Sequence, residues 1–195
     1  MKVHHRRRRI IPIIILLLLA AVIAFGLLSS KYMLSESHDT VETEKLDEPL
    51  RIVQLTDLHN SEFGRDNRRL IARVAEQEPD LILITGDLLN EDDERTDIAT
   101  GLIAGLAEIA PVYVSYGNHE AGYERRFDAD LRTLYSEAGA TVLEYDWVDL
   151  TVKGQNIRLG GLYGYCLPAR YLASGEAREN ECVFLTDFQD TDRTT

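Results

Sequence analysis

The stretch LILITGDLLN, residues 81–90, decides the fold of this chain. Five uncharged, mostly apolar residues run directly into Gly86 and Asp87, which is typical of a parallel strand that is covered on both faces and ends in a polar loop. A similar stretch, RIVQLTDLHN, lies before it at residues 51–60, and another, PVYVSYGNHE, follows at residues 111–120. Each of the three stretches therefore predicts a strand followed by a polar motif.

The three polar motifs are almost evenly spaced. Asp57 and Asp87 are 30 positions apart, and Asp87 and Asn118 are 31 positions apart. One strand, one helix and two short connections occupy roughly 30 residues, so the spacing predicts one βα unit per motif. Because the loops at the carboxyl ends of parallel strands line a single crevice, we expect the motifs to converge there.

The remaining elements follow from hydrophobic periodicity and from helix breakers. Apolar residues at helical spacing predict three helices, over residues 67–77, 97–110 and 127–138. Alternation from Trp147 onward, with a turn at 153–156, predicts a hairpin that begins a second, antiparallel-leaning sheet. Two further strands are predicted on weaker patterns, over residues 41–46 and 183–185.

The three motifs carry the side chains that a pair of divalent metal ions requires. Asp57 and His59 offer a carboxylate oxygen and an imidazole nitrogen to one metal, provided that the loop turns between them. Asp87 offers two oxygens that bridge two metals, and Asn118 offers a neutral carbonyl to the second. His119 then lies near the substrate, where an imidazole protonates or hydrogen-bonds the leaving oxygen. Two metals about 4 Å apart hold a hydroxide for in-line attack on phosphorus, which predicts a metal-dependent hydrolase.

Each motif alone also has a structural explanation. Asp57 and Asp87 are ordinary turn residues, Asn118 suits a left-handed turn position, and a single histidine is more often packed or exposed than bound to a metal. The metal site is favoured because all three motifs follow a strand and share one spacing.

RIVQLTDLHN, ITGDLLN and YGNHE resemble the first three motifs of the calcineurin-like metallophosphoesterase superfamily, and the similarity runs from about residue 50 to about residue 164. The resemblance implies an α/β fold, a two-sheet sandwich flanked by helices. It implies two divalent ions (Mn, Zn or Fe), one bound by Asp57, His59 and Asp87 and the other by Asp87 and Asn118. It makes His119 the catalytic histidine.

The superfamily completes its metal pair with histidines in two later motifs, whereas the last histidine of this sequence is His119. We therefore expect residues 38–195 to be the N-terminal part of a metallophosphoesterase domain, truncated at its C-terminus. The alternative is a non-catalytic, membrane-tethered module that keeps a half metal site.

The N-terminus predicts a membrane anchor. Residues 10–28 contain 19 consecutive uncharged, mostly apolar residues, enough to cross a hydrocarbon core of about 30 Å. Arginines in the basic tail, residues 1–9, precede this run, and a polar tether, residues 29–37, follows it. The positive-inside rule places the tail in the cytoplasm and the domain outside it. A tether followed by TDLHN resembles the bacterial membrane-associated branch of the superfamily, and a cleaved signal peptide remains the alternative to the anchor.

The overall charge excludes one class of partner. The formal net charge is −12, although the basic tail alone carries five positive side chains. An acidic body argues against nucleic-acid binding, which depends on basic groups that neutralise phosphates. The expected partner is a phosphoester, with lipid-linked and envelope-linked precursors among the candidates. Whether Cys166 and Cys182 pair is left open by their spacing alone.

Overall fold

The computed structural model describes residues 14–26 and 34–162. The chain divides into two compact units, Met1–Thr40 and Val41–Thr195. In the first unit, residues 14–26 form helix α1, whose large apolar side chains are all exposed. Among the described residues, no helix combines the length and the apolar character needed to cross a membrane. The anchor predicted over residues 10–28 extends past α1 on both sides, outside the described residues.

A parallel sheet of four strands, in the order β1-β2-β3-β4, forms the centre of the second unit. The strands are β1 (Ile52–Leu55), β2 (Leu81–Thr85), β3 (Val112–Ser115) and β4 (Ala140–Val142). The three strands that precede the motifs are thereby confirmed. The strand β4 was not predicted, because three residues are too few for an alternating pattern to show.

Helices connect the strands of this sheet. They are α2 (Arg68–Ala75, entered through a 3₁₀ turn at Arg65–Asn67), α3 (Asp97–Ala107), α4 (Asn118–Phe127) and α5 (Leu131–Glu137). Helix α3 contacts α2, α5, β3 and β4, as expected when right-handed crossovers place successive helices on the same side. Strand β2 is buried on both sides at its amino end, where Leu81 and Ile82, which point to opposite faces, are 2% and 0% exposed. This confirms the prediction of a strand covered on both faces.

The helix predicted over residues 127–138 is wrong at its N-terminal end and misses α4 altogether. Helix α4 ends at Phe127 because the next residue, Asp128, has a φ of 50°, which lies outside helical geometry, and α5 begins after Asp130. The Asp130 carboxylate accepts a hydrogen bond from the Thr133 N–H at 2.9 Å, so it caps α5. Helix α4 escaped prediction because its sequence, NHEAGYERRF, is largely polar and shows no apolar stripe.

The strand predicted over residues 41–46 is also wrong, since those residues form no strand. The backbone that follows binds a side chain instead of another strand. Gln155 Oε1 accepts hydrogen bonds from the N–H groups of Asp47 and Glu48 at 2.6 and 3.1 Å. Val41 is 88% exposed, so the alternation belongs to a solvated segment and not to the exposed strand that was predicted.

The predicted hairpin is confirmed as β5 (Asp146–Val152) and β6 (Gln155–Gly161), an antiparallel pair. Its turn is shorter than predicted and consists of Lys153 and Gly154, with φ of 50° and 76°. Two successive positive φ values match the twist of the strands in a tight hairpin. The α/β class is therefore confirmed, while the complete two-sheet sandwich stays a prediction. The strand predicted over residues 183–185 lies outside the described residues.

Candidate metal centre

The loops that carry the first two motifs run side by side beyond the ends of β1 and β2. Three backbone hydrogen bonds join them: Asp57 N–H to Gly86 O at 3.2 Å, His59 N–H to Asp87 O at 3.0 Å and Asn60 N–H to Leu88 O at 3.1 Å. These bonds extend the contact between two parallel strands into their loops. The predicted convergence of the motifs is therefore confirmed for the first pair, and its cause is main-chain pairing.

Both loops adopt backbone conformations that most residues avoid. The φ angles of Asp57, His59, Asn60 and Asp87 are 55°, 46°, 56° and 54°. Asp, Asn and His tolerate positive φ better than other non-glycine residues, and such conformations cost about 1–3 kcal/mol each. The residue types of these motifs therefore serve the shape of the loops as well as their chemistry.

The second and third motifs approach each other so closely that glycine is required on both sides. A Cβ on Gly117 would lie 2.2 Å from Asp87 Oδ1, and a Cβ on Gly86 would lie 2.4 Å from the Gly117 nitrogen. Gly86 also has a φ of 89°. Substitution of either glycine would push the third motif away from Asp87.

A buried carboxylate that the sequence reasoning missed holds these two motifs together. Glu120 is 0% exposed. Its carboxylate accepts hydrogen bonds from the N–H groups of Asp87 and Leu88, both at 2.8 Å, and of Gly117 at 2.9 Å. The sequence did contain a signal for this contact. In a capping box, a glutamate three residues after the N-cap residue of a helix accepts a hydrogen bond from the N-cap N–H.

One side chain from each of the three motifs lies close to the others. His59, Asp87 and His119 each present one possible ligand atom, and these atoms lie within 4.8 Å of one another. The rings of His59 and His119 are 4.4 Å apart in an edge-to-face arrangement. Asp57 Oδ1 lies 3.9 Å from His59 Nε2. Asn118 is the first residue of α4, next to His119, and its role as a ligand stays a prediction.

The donor set fits a divalent metal. The buried His59 Nδ1 has no hydrogen-bond partner among the described residues, and a neutral imidazole nitrogen of this kind is a common metal ligand. The neighbouring carboxylate of Asp57 is oriented by the Thr56 hydroxyl, which donates to Asp57 Oδ2 at 2.7 Å. Imidazole and carboxylate groups together suit Mn, Fe and Zn alike.

A loop of acidic residues, 90–94, follows the second motif and is called the acidic loop below. Side-chain hydrogen bonds from the Arg95 guanidinium hold the pKa of Asp93 well below its usual range. Asp93 also accepts a hydrogen bond from Asn60 Nδ2 at 3.2 Å. The carboxylate therefore stays ionised and links the acidic loop to the loop of the first motif.

Comparison with known proteins agrees with this geometry. A family model described as calcineurin-like phosphoesterase matches residues 50–193, and this confirms the superfamily that the three motifs resemble. The chain is similar to Phosphodiesterase YaeI of Escherichia coli (strain K12), with 35% identity over 98 residues, which cover 49% of this chain and 36% of that protein.

Among solved structures, the chain is similar to Phosphopantetheinyl Hydrolase (PptH) from Mycobacterium tuberculosis, with a TM-score of 0.41 and 20% identity. That match covers 74% of this chain and 52% of the other. The chain thus spans about a third of the curated relative and about half of the structural neighbour.

Proposed function

This chain belongs to the calcineurin-like phosphoesterase family, and from that premise we propose that it hydrolyses phosphoesters with the help of two divalent metal ions. The observation that carries the proposal is the convergence of His59, Asp87 and His119, one residue from each motif, whose imidazole nitrogens and carboxylate oxygen lie within 4.8 Å of one another. A buried imidazole nitrogen without a partner among the described residues, on His59, supports the metal.

The side chains divide into metal-holding and substrate-facing groups. Asp57, His59 and Asp87 would hold one ion, and Asp87 and Asn118 the second. When bound, such ions stabilise negative charge on phosphoryl oxygens and make a water molecule acidic enough to react near neutral pH. Asp87 is held in place by the bonds from its own N–H to Glu120 and from the His119 N–H to Asp87 Oδ1. His119 would give a hydrogen bond or a proton to the leaving oxygen.

The substrate class proposed first is a phosphodiester, and the printed name of the 35% identical relative, a phosphodiesterase, supports it. Phosphomonoesters and pyrophosphates are the other candidates. In each class, lipid-linked or envelope-linked compounds suit a protein that is held at a membrane.

The proposed location is the cell membrane, with the N-terminus in the cytoplasm and the domain outside it. The uncharged run of residues 10–28 and the preceding arginines support this. The exposed apolar side chains of α1, for example Leu17 at 64% and Phe25 at 69%, support it as well. The protein should stay with membranes during an alkaline wash, and charged substitutions at Leu17 and Leu18 should release it. Release of the unchanged protein would contradict the anchor.

Hydrolysis of bis(4-nitrophenyl) phosphate and 4-nitrophenyl phosphate, with Mn²⁺ or Zn²⁺ added, tests the proposed activity. We expect turnover that chelation abolishes and that added metal restores, with the diester preferred. Metal binding without hydrolysis of any phosphoester would reject the enzyme and favour the second candidate, a tethered metal-binding module.

A further inference from the structure

The acidic loop is hydrogen-bonded to the two segments beside the metal centre, the loop of the first motif and helix α4. Four contacts show this: Asn90 Nδ2 donates to His59 O at 3.0 Å, Asn60 Nδ2 donates to Asp93 at 3.2 Å, the Tyr123 hydroxyl donates to Glu94 O at 2.7 Å, and Arg126 bonds Asp92. The loop of the first motif supplies two of these contacts and helix α4 supplies the other two. The position of the acidic loop is therefore fixed relative to the side chains of the site.

The middle of the acidic loop lies directly against α4. A Cβ on Gly122 would lie 3.0 Å from Glu91 Cβ, so the acidic loop and α4 are in close contact at this point. The Glu91 backbone N–H donates a hydrogen bond to His119 Nδ1 at 3.2 Å. The backbone of His119 is held as well, because its N–H donates to Asp87 Oδ1 at 2.9 Å.

The hydrogen bond at His119 Nδ1 decides which nitrogen carries the proton. A neutral imidazole has one N–H donor and one acceptor nitrogen. In a neutral His119 whose Nδ1 accepts from the Glu91 amide, the proton belongs on Nε2. A protonated nitrogen has no free lone pair for a metal, so Nε2 acts as a donor.

Distance alone would allow His119 to join His59 and Asp87 as a third metal ligand. The two histidines differ in their partners: His119 Nδ1 is engaged by a backbone amide, whereas His59 Nδ1 has no partner among the described residues. The first arrangement suits a hydrogen-bond donor and the second suits a ligand.

We propose that the Glu91 backbone amide is a positioning group that holds His119 as the Nε2–H tautomer, so that His119 donates a hydrogen bond to a phosphoester oxygen and does not bind metal. The catalytic consequence rests on the proposed function, whereas the tautomer does not. The acidic loop thereby fixes the orientation and the tautomer of the His119 imidazole.

Nitrogen-15 NMR of the histidine side chains tests the proposal, with His119→Gln used to assign the His119 signals. In the metal-free protein we expect a proton on Nε2 and none on Nδ1. Added Zn²⁺ should perturb the nitrogens of His59 and leave the Nε2 proton of His119 in place. A proton on Nδ1, or loss of the Nε2 proton on binding Zn²⁺, would overturn the proposal.

Two variants separate the effect of the Glu91 backbone N–H from that of the Glu91 side chain. Glu91→Pro removes the N–H and should produce a mixture of His119 tautomers, while Glu91→Ala keeps the N–H and should preserve the single tautomer. An unchanged tautomer in a folded Glu91→Pro protein would show that the Glu91 amide does not position His119. If that variant does not fold, the Zn²⁺ titration of the unchanged protein decides the question. Absence of phosphoester hydrolysis with the expected tautomer would reject the proposed function and leave this inference standing.

Discussion

The two ends of the parallel sheet are held together in different ways. At the carboxyl end, backbone hydrogen bonds join strained loops, and the buried Glu120 receives three N–H groups. At the amino end, the hairpin turn is fastened from the surface by Lys153 Nζ, which donates to Asp80 Oδ2 at 2.7 Å. Asp80 also accepts from the Arg51 N–H at 2.7 Å. The carboxyl end thus combines strained loops with a buried carboxylate around the candidate ligands, while the contacts of the amino end join segments at the surface.

The largest difference in metal binding and hydrolysis is expected between Asp87→Asn, at the carboxyl end of the sheet, and Asp80→Asn, at the amino end. The bridge proposed for Asp87 would need two charged oxygens to offset two dications, so its loss should abolish metal binding and hydrolysis. Asp80→Asn should leave both intact. Metal content after purification without chelator and calorimetric titration with Mn²⁺ measure the difference, and full metal content in Asp87→Asn would show that the bridge is assigned wrongly.

The next largest effect is expected from His119→Gln. Turnover should fall by roughly 10²–10⁴-fold, the usual scale for loss of an acid–base group, while metal content stays nearly unchanged. The loss should shrink for nitrophenyl esters, since a good leaving group needs little help from a donor. If this variant loses its metals as completely as Asp87→Asn does, His119 is a ligand and its assigned role is wrong.

A smaller effect is expected from Glu120→Gln. Glutamine removes the buried charge and leaves one of the three N–H groups poorly satisfied, so unfolding by urea should show a loss of about 1–3 kcal/mol. Metal affinity should fall too, because Asp87 and Gly117 lose their common anchor. The exposed Glu137→Gln is the matched control and should change neither quantity. Equal behaviour of the two variants would show that Glu120 does not position the site.

The smallest effect concerns the amino end and depends on pH. The Arg51 amide, followed by Lys153, lowers the pKa of Asp80 below its ordinary value. A lowered folded-state pKa contributes stability that is present above the unfolded-state pKa and is lost as the pH falls through the folded-state pKa. Stability measured from about pH 6 down to about pH 2 should therefore fall less in Asp80→Asn, by about 1 kcal/mol or less. Lys153→Met should give only part of this change, because the larger contribution comes from the backbone amide.

Local sequence was sufficient for much of the fold. The strands β1 to β3 were predictable because short, uncharged and mostly apolar runs that end in polar residues are typical of strands. The hairpin was predictable from the alternation, although its turn was predicted over residues 153–156 and consists of Lys153 and Gly154 alone. Helix α4 and the segment at residues 41–46 were predicted wrongly, since a polar helix lacks an apolar stripe and an exposed segment alternates without forming a strand.

The sequence by itself determined the three motifs, their spacing and their meeting at one end of a parallel sheet, because a βα unit fixes where its loop emerges. Only the tertiary structure decided how the motifs are held. Glu120 reaches the amides of Asp87 and Leu88 across 33 and 32 positions, and the Glu91 amide reaches His119 across 28. These contacts form only after the strands have paired. The sequence does not reveal them, because every non-proline residue has the same backbone N–H and the fold decides which side chain it meets.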